Sequence, residues 1–318
     1  MATVSALLPS YNHARFLGAA IESVLQQTRR VDEILIVDDG STDDTATVAA
    51  RFADRVRFLS RPHAGIGATY NAGVAAASGE IIAWLESDDL WEPDYVESTL
   101  RFLERHPDAG WVGTARKLID AAGSPLGLET HKRDPGAWFT TESCLQRDLG
   151  FSSTPVVRRT CLLDVGPYET RTFLCDNDMM LRFSLRHPMG YLDRPLYLHR
   201  RHATNTSGAL ERDAREMIAI LSRLEREHAE ELRPHARALR KCLAKYQGIA
   251  AVLALQAGPG KHQDQGDVLE LLGSAVRNDP TKLKHLRRWL GARLLGPARY
   301  GALRRAVTPR PVKAAEEI

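Results

Sequence analysis

The residues best suited to chemistry in this chain are two acidic clusters. Asp38-Asp39-Gly40-Ser41 follows an apolar run at 33–37, and Glu86-Ser87-Asp88-Asp89 follows another at 81–85. In open α/β sheets, ligands bind outside the carboxyl ends of strands, which is where both clusters fall. Carboxylates gathered on one sheet edge repel each other unless a cation or several donors lie between them. Their hard oxygens suit Mg2+ or Mn2+, ions that are usually held by one or two carboxylates plus substrate phosphates. The pattern predicts a nucleotide diphosphate substrate. Taken singly, each Asp also reads as an Asx turn or helix cap, Asp43 and Ser41 most of all. The gathering of Asp39, Asp88 and Asp89 on one edge is what argues for more. Asp176 stands before a helical apolar run (Met179, Met180, Leu181, Phe183) and by itself reads as an N-cap, with Asp178 two residues on.

The elements that must position these groups alternate in type. Apolar runs at 4–8, 33–37, 56–59 and 81–85 read as strands. Between them, 14–27, 42–52 and 66–77 read as helices, and Trp91-Glu92-Pro93 opens another to about Arg105. Such alternation argues a mostly parallel sheet with helices on both faces. From 209 onward only helical spacing is found, at 209–232, 234–256, 265–277 and 281–308, broken by Pro234 and by Gly258-Pro259-Gly260. Two domains are expected, an α/β domain over 1–208 and a helical region over 209–318.

The rival phosphate-binding loops fail on their own terms. A dinucleotide fold needs GxGxxG after its first strand, and here that strand leads into Pro9-Ser10-Tyr11-Asn12. Gly65-Ile66-Gly67 has Tyr70 where the third glycine belongs, and no GxxxxGK[ST] occurs.

Length and composition bound the rest. With 318 residues, 43% hydrophobic and 26% charged, the chain has the make-up of a globular protein. No apolar run approaches the ~18 residues of a membrane span, and no secretory leader is visible, so a cytoplasmic protein is expected. The four cysteines have neither CxxC nor zinc-ligand spacing. The net charge of +3 conceals an asymmetry: residues 1–208 carry 22 Lys and Arg against 27 Asp and Glu, whereas 209–318 carry 21 against 13.

Several segments in order resemble the family 2 glycosyltransferases. These are VSALLPSYN (4–12), SVLQQT (23–28), EILIVDDGSTD (33–43), GIGATYNAG (65–73), SGE (78–80), WLESDD (84–89), GPY (166–168), CDNDMMLR (175–182) and HRRHATNTS (199–207). The resemblance covers residues 3–207 and implies a GT-A fold, which is Rossmann-like. It also implies transfer of a sugar from a nucleotide-diphospho-sugar, with UDP favoured, to an acceptor hydroxyl, with Mn2+ or Mg2+ as cofactor. Pro9, Tyr11 and Asp39 match positions that hold the donor's base and ribose, with Asn12 beside them. Asp88 and Asp89 match the DxD-type motif, in which one carboxylate reaches the ribose or metal and the other, taken as Asp89, ligates the metal. Glu86 takes the place of that motif's usual first Asp. Asp176 matches the catalytic base of an inverting transfer, and Cys175 departs from the family's Glu. His199, Arg200 and His202 match a basic loop over the diphosphate, with Arg200 on phosphate and His202 completing the metal shell. A catalytically inactive nucleotide-sugar-binding module is the alternative, motivated by Cys175 and Glu86. Cell-surface glycan or polysaccharide synthesis is the expected setting, with a saccharide or lipid-linked acceptor.

The end of the chain invites a separate reading. Residues 281–313 hold ten Lys and Arg and no acid, interleaved with Trp289 and leucines. Such a stretch resembles an amphipathic surface helix that touches anionic membrane. Packing of the leucines on earlier helices is the competing reading, and the helical region also suits self-association or shaping of the acceptor site. No stacking platform or recognition motif accompanies the charge, so nucleic acid is not an expected partner. Asn205-Thr206-Ser207 forms a sequon with no use in a cytosolic chain.

Overall fold

A computed structural model describes residues 2–129, 138–146, 155–202, 210–257 and 265–307. The chain divides into two compact units, Met1–Ala203 and Thr204–Ile318.

The strands of the first unit are β1 Val4–Ser10, β2 Glu33–Asp38, β3 Arg57–Ser60, β4 Ile81–Trp84, β5 Leu90–Trp91, β6 Trp111–Ile119, β7 Pro125–Glu129, β8 Trp138–Phe139, β9 Val156–Arg158 and β10 Met189–Arg200. They form one sheet in the order β3-β2-β1-β4-β9-β6-β10-β5, with β7 beside β6 and β8 beside β10. β1, β2, β3 and β4 pair in parallel, as the alternating pattern predicts. β9 then runs antiparallel to both β4 and β6, and β10 is parallel to β6. Two reversals cancel, so the carboxyl ends of β1, β2, β4, β6 and β10 share one edge. The sheet is therefore mixed, with its antiparallel strands confined to the second half.

All seven residues of β1 are buried, which explains why its apolar residues do not alternate with exposed polar ones. Helices cover both faces. On one, α1 (Ala14–Leu25) and α4 (Tyr95–Arg105) set Leu17, Ile21, Val24, Tyr95 and Phe102 against Val4, Ala6, Leu8, Ile34 and Ile36. On the other lies α3 (Ile66–Ala76), where a Cβ on Gly73 would stand 3.3 Å from Leu7 and 3.4 Å from Val37.

Two sequence expectations shift. The helix expected over 42–52 shortens to α2, Thr45–Ala50, because Asp43 Oδ1 accepts from the Thr45 N–H at 3.0 Å and turns the chain first. Asp43 Oδ2 also accepts from the Ala14 N–H, the structural role its motif suggested. Trp91-Glu92-Pro93 does not open α4. Leu90 and Trp91 are drawn into the sheet against Leu198 and Tyr197, and the helix begins at Tyr95. Short helices α5 (Thr141–Gln146) and α6 (Arg159–Val165) precede α7 (Cys175–Ser184).

The second unit is helical: α8 Leu210–Glu227, α9 Ala229–Leu232, α10 Ala236–Ala257, α11 Gln265–Asn278, α12 Leu283–Leu295 and α13 Pro297–Val307. Ala251, Leu255, Val268, Leu272 and Ala292 form a core that Trp289 and Tyr300 close. The single helix expected over 281–308 is two, because Gly296 at φ 78° turns the chain and Pro297 starts afresh. No helix among the described residues is long and apolar enough to cross a membrane. The sequon at 205–207 and the tail beyond 307 lie outside the described residues.

Candidate active site

The shared carboxyl edge of the sheet collects the site. β1 ends at Ser10 and passes through Asn12, a non-glycine residue at φ 56°, before α1 begins. Local bonds fix that turn. The Asn12 N–H donates to Ser41 Oγ at 2.8 Å, and Asn12 Oδ1 accepts from the Thr42 N–H at 2.8 Å. Pro9 is buried within β1 opposite Val37. Tyr11 projects beside it and stacks on His63, with ring centroids 4.4 Å apart and an interplanar angle of 24°.

Asp39, just past β2, is buried and fully engaged. Oδ1 accepts from Arg61 Nη1 at 2.8 Å and the Ala64 N–H at 3.0 Å, and Oδ2 from the Gly65 N–H at 2.9 Å. His63 Nδ1 lies 2.8 Å from the same Oδ2. Arg61 and His63 went unremarked in the sequence. Their signal was position, since both follow β3 on the edge where ligands bind.

The turn after β4 and the end of β10 meet across the sheet. Asp88 Oδ2 lies 3.0 Å from His202 Nε2. Asp89 is differently placed. Its Oδ2 accepts from Tyr197 Oη at 2.7 Å and lies 3.2 Å from His199 Nδ1, and its Oδ1 accepts from the Arg200 N–H at 2.7 Å. Asp89, expected to face a metal, thus ties β10 to the turn, and Asp88 is the carboxylate that faces His202. Arg200 also departs from expectation. Its guanidinium donates to the carbonyls of Asp88 at 2.7 Å, Asp120 at 3.2 Å and Ala121 at 3.3 Å, and lies over the Phe16 ring. A buried guanidinium committed to three carbonyls braces the backbone instead of offering a fork to phosphate.

The residues fit a divalent ion in a particular way. The Asp88 carboxylate is a donor that Mn2+ and Mg2+ both favour, and the His202 imidazole suits a transition-metal ion such as Mn2+ better than Mg2+. No group of three or more His, Cys, Asp or Glu side chains suited to an ion forms among the described residues. Two protein donors leave the remaining positions to phosphate oxygens and water, the usual arrangement for Mg2+ at a nucleotide site.

Asp176 reaches the same edge on α7. Leu174 occupies the N-cap position and no side chain caps the helix, so Asp176 stands in the first turn and is not the cap its sequence context suggested. A reciprocal clamp places the preceding loop. Asn71 Nδ2 donates to the Tyr168 carbonyl at 2.9 Å, and Asn71 Oδ1 accepts from the Tyr168 N–H at 2.8 Å. Gly67 permits the approach, for a Cβ there would stand 2.3 Å from the Glu169 carbonyl oxygen. Burial pushes the Asp176 carboxyl up to about 6, against backbone N–H groups and the Arg116 charge that favour its ionised form.

Its neighbours differ in what they can do. Asp178 is fully buried and paired with Arg182 Nε at 2.9 Å, and Arg182 also donates to the carbonyls of Val165 and Pro167. Cys175 is buried, and burial and the nearby carboxylates push its thiol far above the ordinary range, so it stands as a neutral group. Glu86 accepts from Tyr70 Oη, and Tyr70 in turn packs on Trp84 and Tyr168. Burial, with Asp88, Asp89 and Asp176 nearby, pushes Glu86 up to about 8. It is therefore protonated at neutral pH, which relieves an edge that would otherwise gather four carboxylates.

Known proteins resemble this chain in the same terms. The model of Glycosyl transferase family 2 matches residues 5–146. Chondroitin synthase of Escherichia coli is 31% identical over 209 residues, covering 64% of this chain and 30% of that protein. The chain spans about a third of the length of the curated relatives it matches first. Among solved structures, residues 1–349 of S. aureus TarS, in complex with UDP-GlcNAc, have a TM-score of 0.68 at 16% identity, covering 96% of this chain and 92% of that one. The mannosyltransferase PcManGT of Pyrobaculum calidifontis, in complex with GDP-Man and Mn2+, has a TM-score of 0.57 at 16% identity, covering 98% of this chain and 88% of that one. At such identities the likeness speaks for the fold. With the family's segments in order on a GT-A sheet, residues 5–146 are those of a glycosyltransferase family 2 domain.

Proposed function

We propose that the chain is an inverting glycosyltransferase that moves a sugar from a UDP-sugar to a hydroxyl of a saccharide or lipid-linked acceptor, in polysaccharide or cell-surface glycan synthesis. The observation that carries this reading is the meeting, on one sheet edge, of Asp176 with its raised pKa and the Asp88–His202 pair. The UDP-GlcNAc bound by TarS and the Mn2+ bound by PcManGT support the donor class and the metal.

The base stacks on the Tyr11 ring, beside Pro9 and the Asn12 turn. Asp39 accepts from a base N–H or ribose hydroxyl. A carboxylate has about four acceptor sites, and all are in use. His63, the most exposed of the side-chain donors to Asp39, is the one the base displaces. Asp88 and His202 would hold Mn2+ or Mg2+, which would supply a counter-charge for the diphosphate. Asp89, Tyr197 and Arg200 keep that pair aligned. Asp176 takes the proton of the attacking hydroxyl, and a pKa near 6 leaves it ionised at neutral pH while keeping it a better base than an ordinary carboxylate.

Calorimetric titration of UDP, dTDP and GDP, with Mn2+ and with chelator, tests the reading on wild type and Asp88→Ala. Metal-dependent binding of UDP that Asp88→Ala abolishes is expected. Failure of every diphosphate to bind would overturn the donor site. Donor binding without turnover or donor hydrolysis would favour the inactive binding module, for which Cys175 in the family's Glu position is the argument.

A further inference from the structure

Helices α12 and α13 expose leucines among the described residues, set in mostly positive charge. Trp289, Ala292 and Tyr300 turn into the core of the helical unit, and the leucines do not follow them. Leu283 is 64% exposed, Leu290 42%, Leu294 81% and Leu295 45%, and Leu303 on α13 is 51% exposed. Leu283, Arg287, Leu290 and Leu294 recur at helical spacing and so form one stripe. The alternative in which the leucines pack on earlier helices is thereby excluded for these five.

The charge around the stripe is mostly positive, with Asp279 the carboxylate that acts on Lys282 and His285. Lys282, Lys284, Arg287, Arg288, Arg293 and Arg299 make no ion pair with a carboxylate among the described residues. Residues 281–307 contain no acid at all. Lys284 and burial together lower the pKa of Lys245 on α10, and burial with the neighbouring Arg304 lowers Arg288, so cations face cations here. A surface that keeps leucines in water beside unneutralised arginines suits one kind of partner best. Polyanions such as nucleic acid would satisfy the charge and leave the leucines wet. An acidic headgroup layer above an acyl layer satisfies both.

We propose that the outer face of α12 and α13 docks on an anionic lipid surface. The leucines enter the headgroup–acyl boundary, and the lysines and arginines meet lipid phosphates. The inference rests on the helical unit alone and stands or falls independently of the donor site.

The test is co-sedimentation of the full chain with vesicles of pure phosphatidylcholine and of phosphatidylcholine with about one-third phosphatidylglycerol. Binding to the anionic vesicles alone is expected, with loss of more than tenfold in affinity at high salt. Leu290→Ser/Leu294→Ser and Arg287→Ser/Arg299→Ser are each expected to weaken binding by about tenfold or more. Both pairs of side chains are exposed, so an unchanged thermal midpoint separates lost docking from lost folding. Equal binding to neutral vesicles, or binding indifferent to both double variants, would overturn the proposal. So would the absence of vesicle binding by a chain that self-associates through Leu290 and Leu294, or that binds an oligonucleotide through the same arginines.

Discussion

Asp88 Oδ2 and His202 Nε2 stand 3.0 Å apart, although 114 residues separate them in the chain. The contact joins the turn after β4 to the end of β10. Asp89 beside it is held by Tyr197, His199 and the Arg200 N–H, and Asp39 further along the edge by Arg61, His63 and two backbone N–H groups. His202→Ala is expected to weaken Mn2+-dependent UDP binding by about ten- to a hundredfold or more, ten- to a hundredfold being the usual cost of losing even an outer-shell partner of a metal. UDP titration at several Mn2+ concentrations reads this directly. Addition of chelator should reduce the wild type to the level of the variant or below.

The raised pKa of Asp176 has two consequences of opposite sign. In the proposed role of base it must be ionised, so kcat/KM should rise through about pH 6 and level off above it. Asp176→Asn should abolish that limb and reduce kcat by at least a thousandfold. Its effect on stability runs the other way. The folded state binds the proton more tightly than the unfolded chain, so the carboxylate destabilises the fold once the pH exceeds about 6 and has no effect below about 4. Asp176→Asn should therefore gain roughly 1–3 kcal/mol at pH 8 and nothing at pH 4. Denaturant midpoints at the two pH values test the sign.

Asp178 should behave differently despite lying two residues away. Removing it strands the Arg182 guanidinium in a buried site. Breaking such a pair costs about 3–5 kcal/mol, so Asp178→Ala should lower the thermal midpoint sharply at neutral pH. A variant that kept its midpoint and lost only turnover would make Asp178 the base.

The donor pocket can be tested by two aromatic substitutions. Tyr11→Ala should weaken UDP by about 1–3 kcal/mol, the usual worth of a stacked base. His63→Ala should leave UDP affinity within about threefold, because its contacts with Asp39 and Tyr11 are the ones the base replaces. A large loss in His63→Ala would place that ring in contact with bound donor.

Gly67→Ala probes how the base is positioned. The added Cβ would meet the Glu169 carbonyl at 2.3 Å, and backbone on both sides has little room to yield. The loop 168–174 and with it Asp176 should shift, so kcat should drop at least tenfold while UDP affinity changes little. Turnover assays beside UDP titration separate the two.

The sequence by itself determined the elements and the edge. Apolar runs ending in acidic turns told where β2 and β4 stop, because strands buried on both faces are mostly apolar and their charged residues gather at or past the end. Ordered segments from 4–12 to 199–207 told the family. Tertiary structure decided which member of each acidic pair is available. Asp88 and Asp89 are neighbours with the same chemistry, and only the arrival of β10 commits Asp89 to Tyr197, His199 and the Arg200 N–H while leaving Asp88 for His202. The same strand turns Arg200 from an expected phosphate ligand into a brace for three carbonyls. Asp176 and Asp178 are likewise equal on paper, and the burial of Arg182 separates them. In the tail, charge and leucine content were legible, but Gly296 decides the break between α12 and α13, and packing of Trp289 and Tyr300 decides which apolar residues stay outside. A hydrogen-bonding group's role depends on which partners reach it first, and those partners come from strands and helices far away in the sequence.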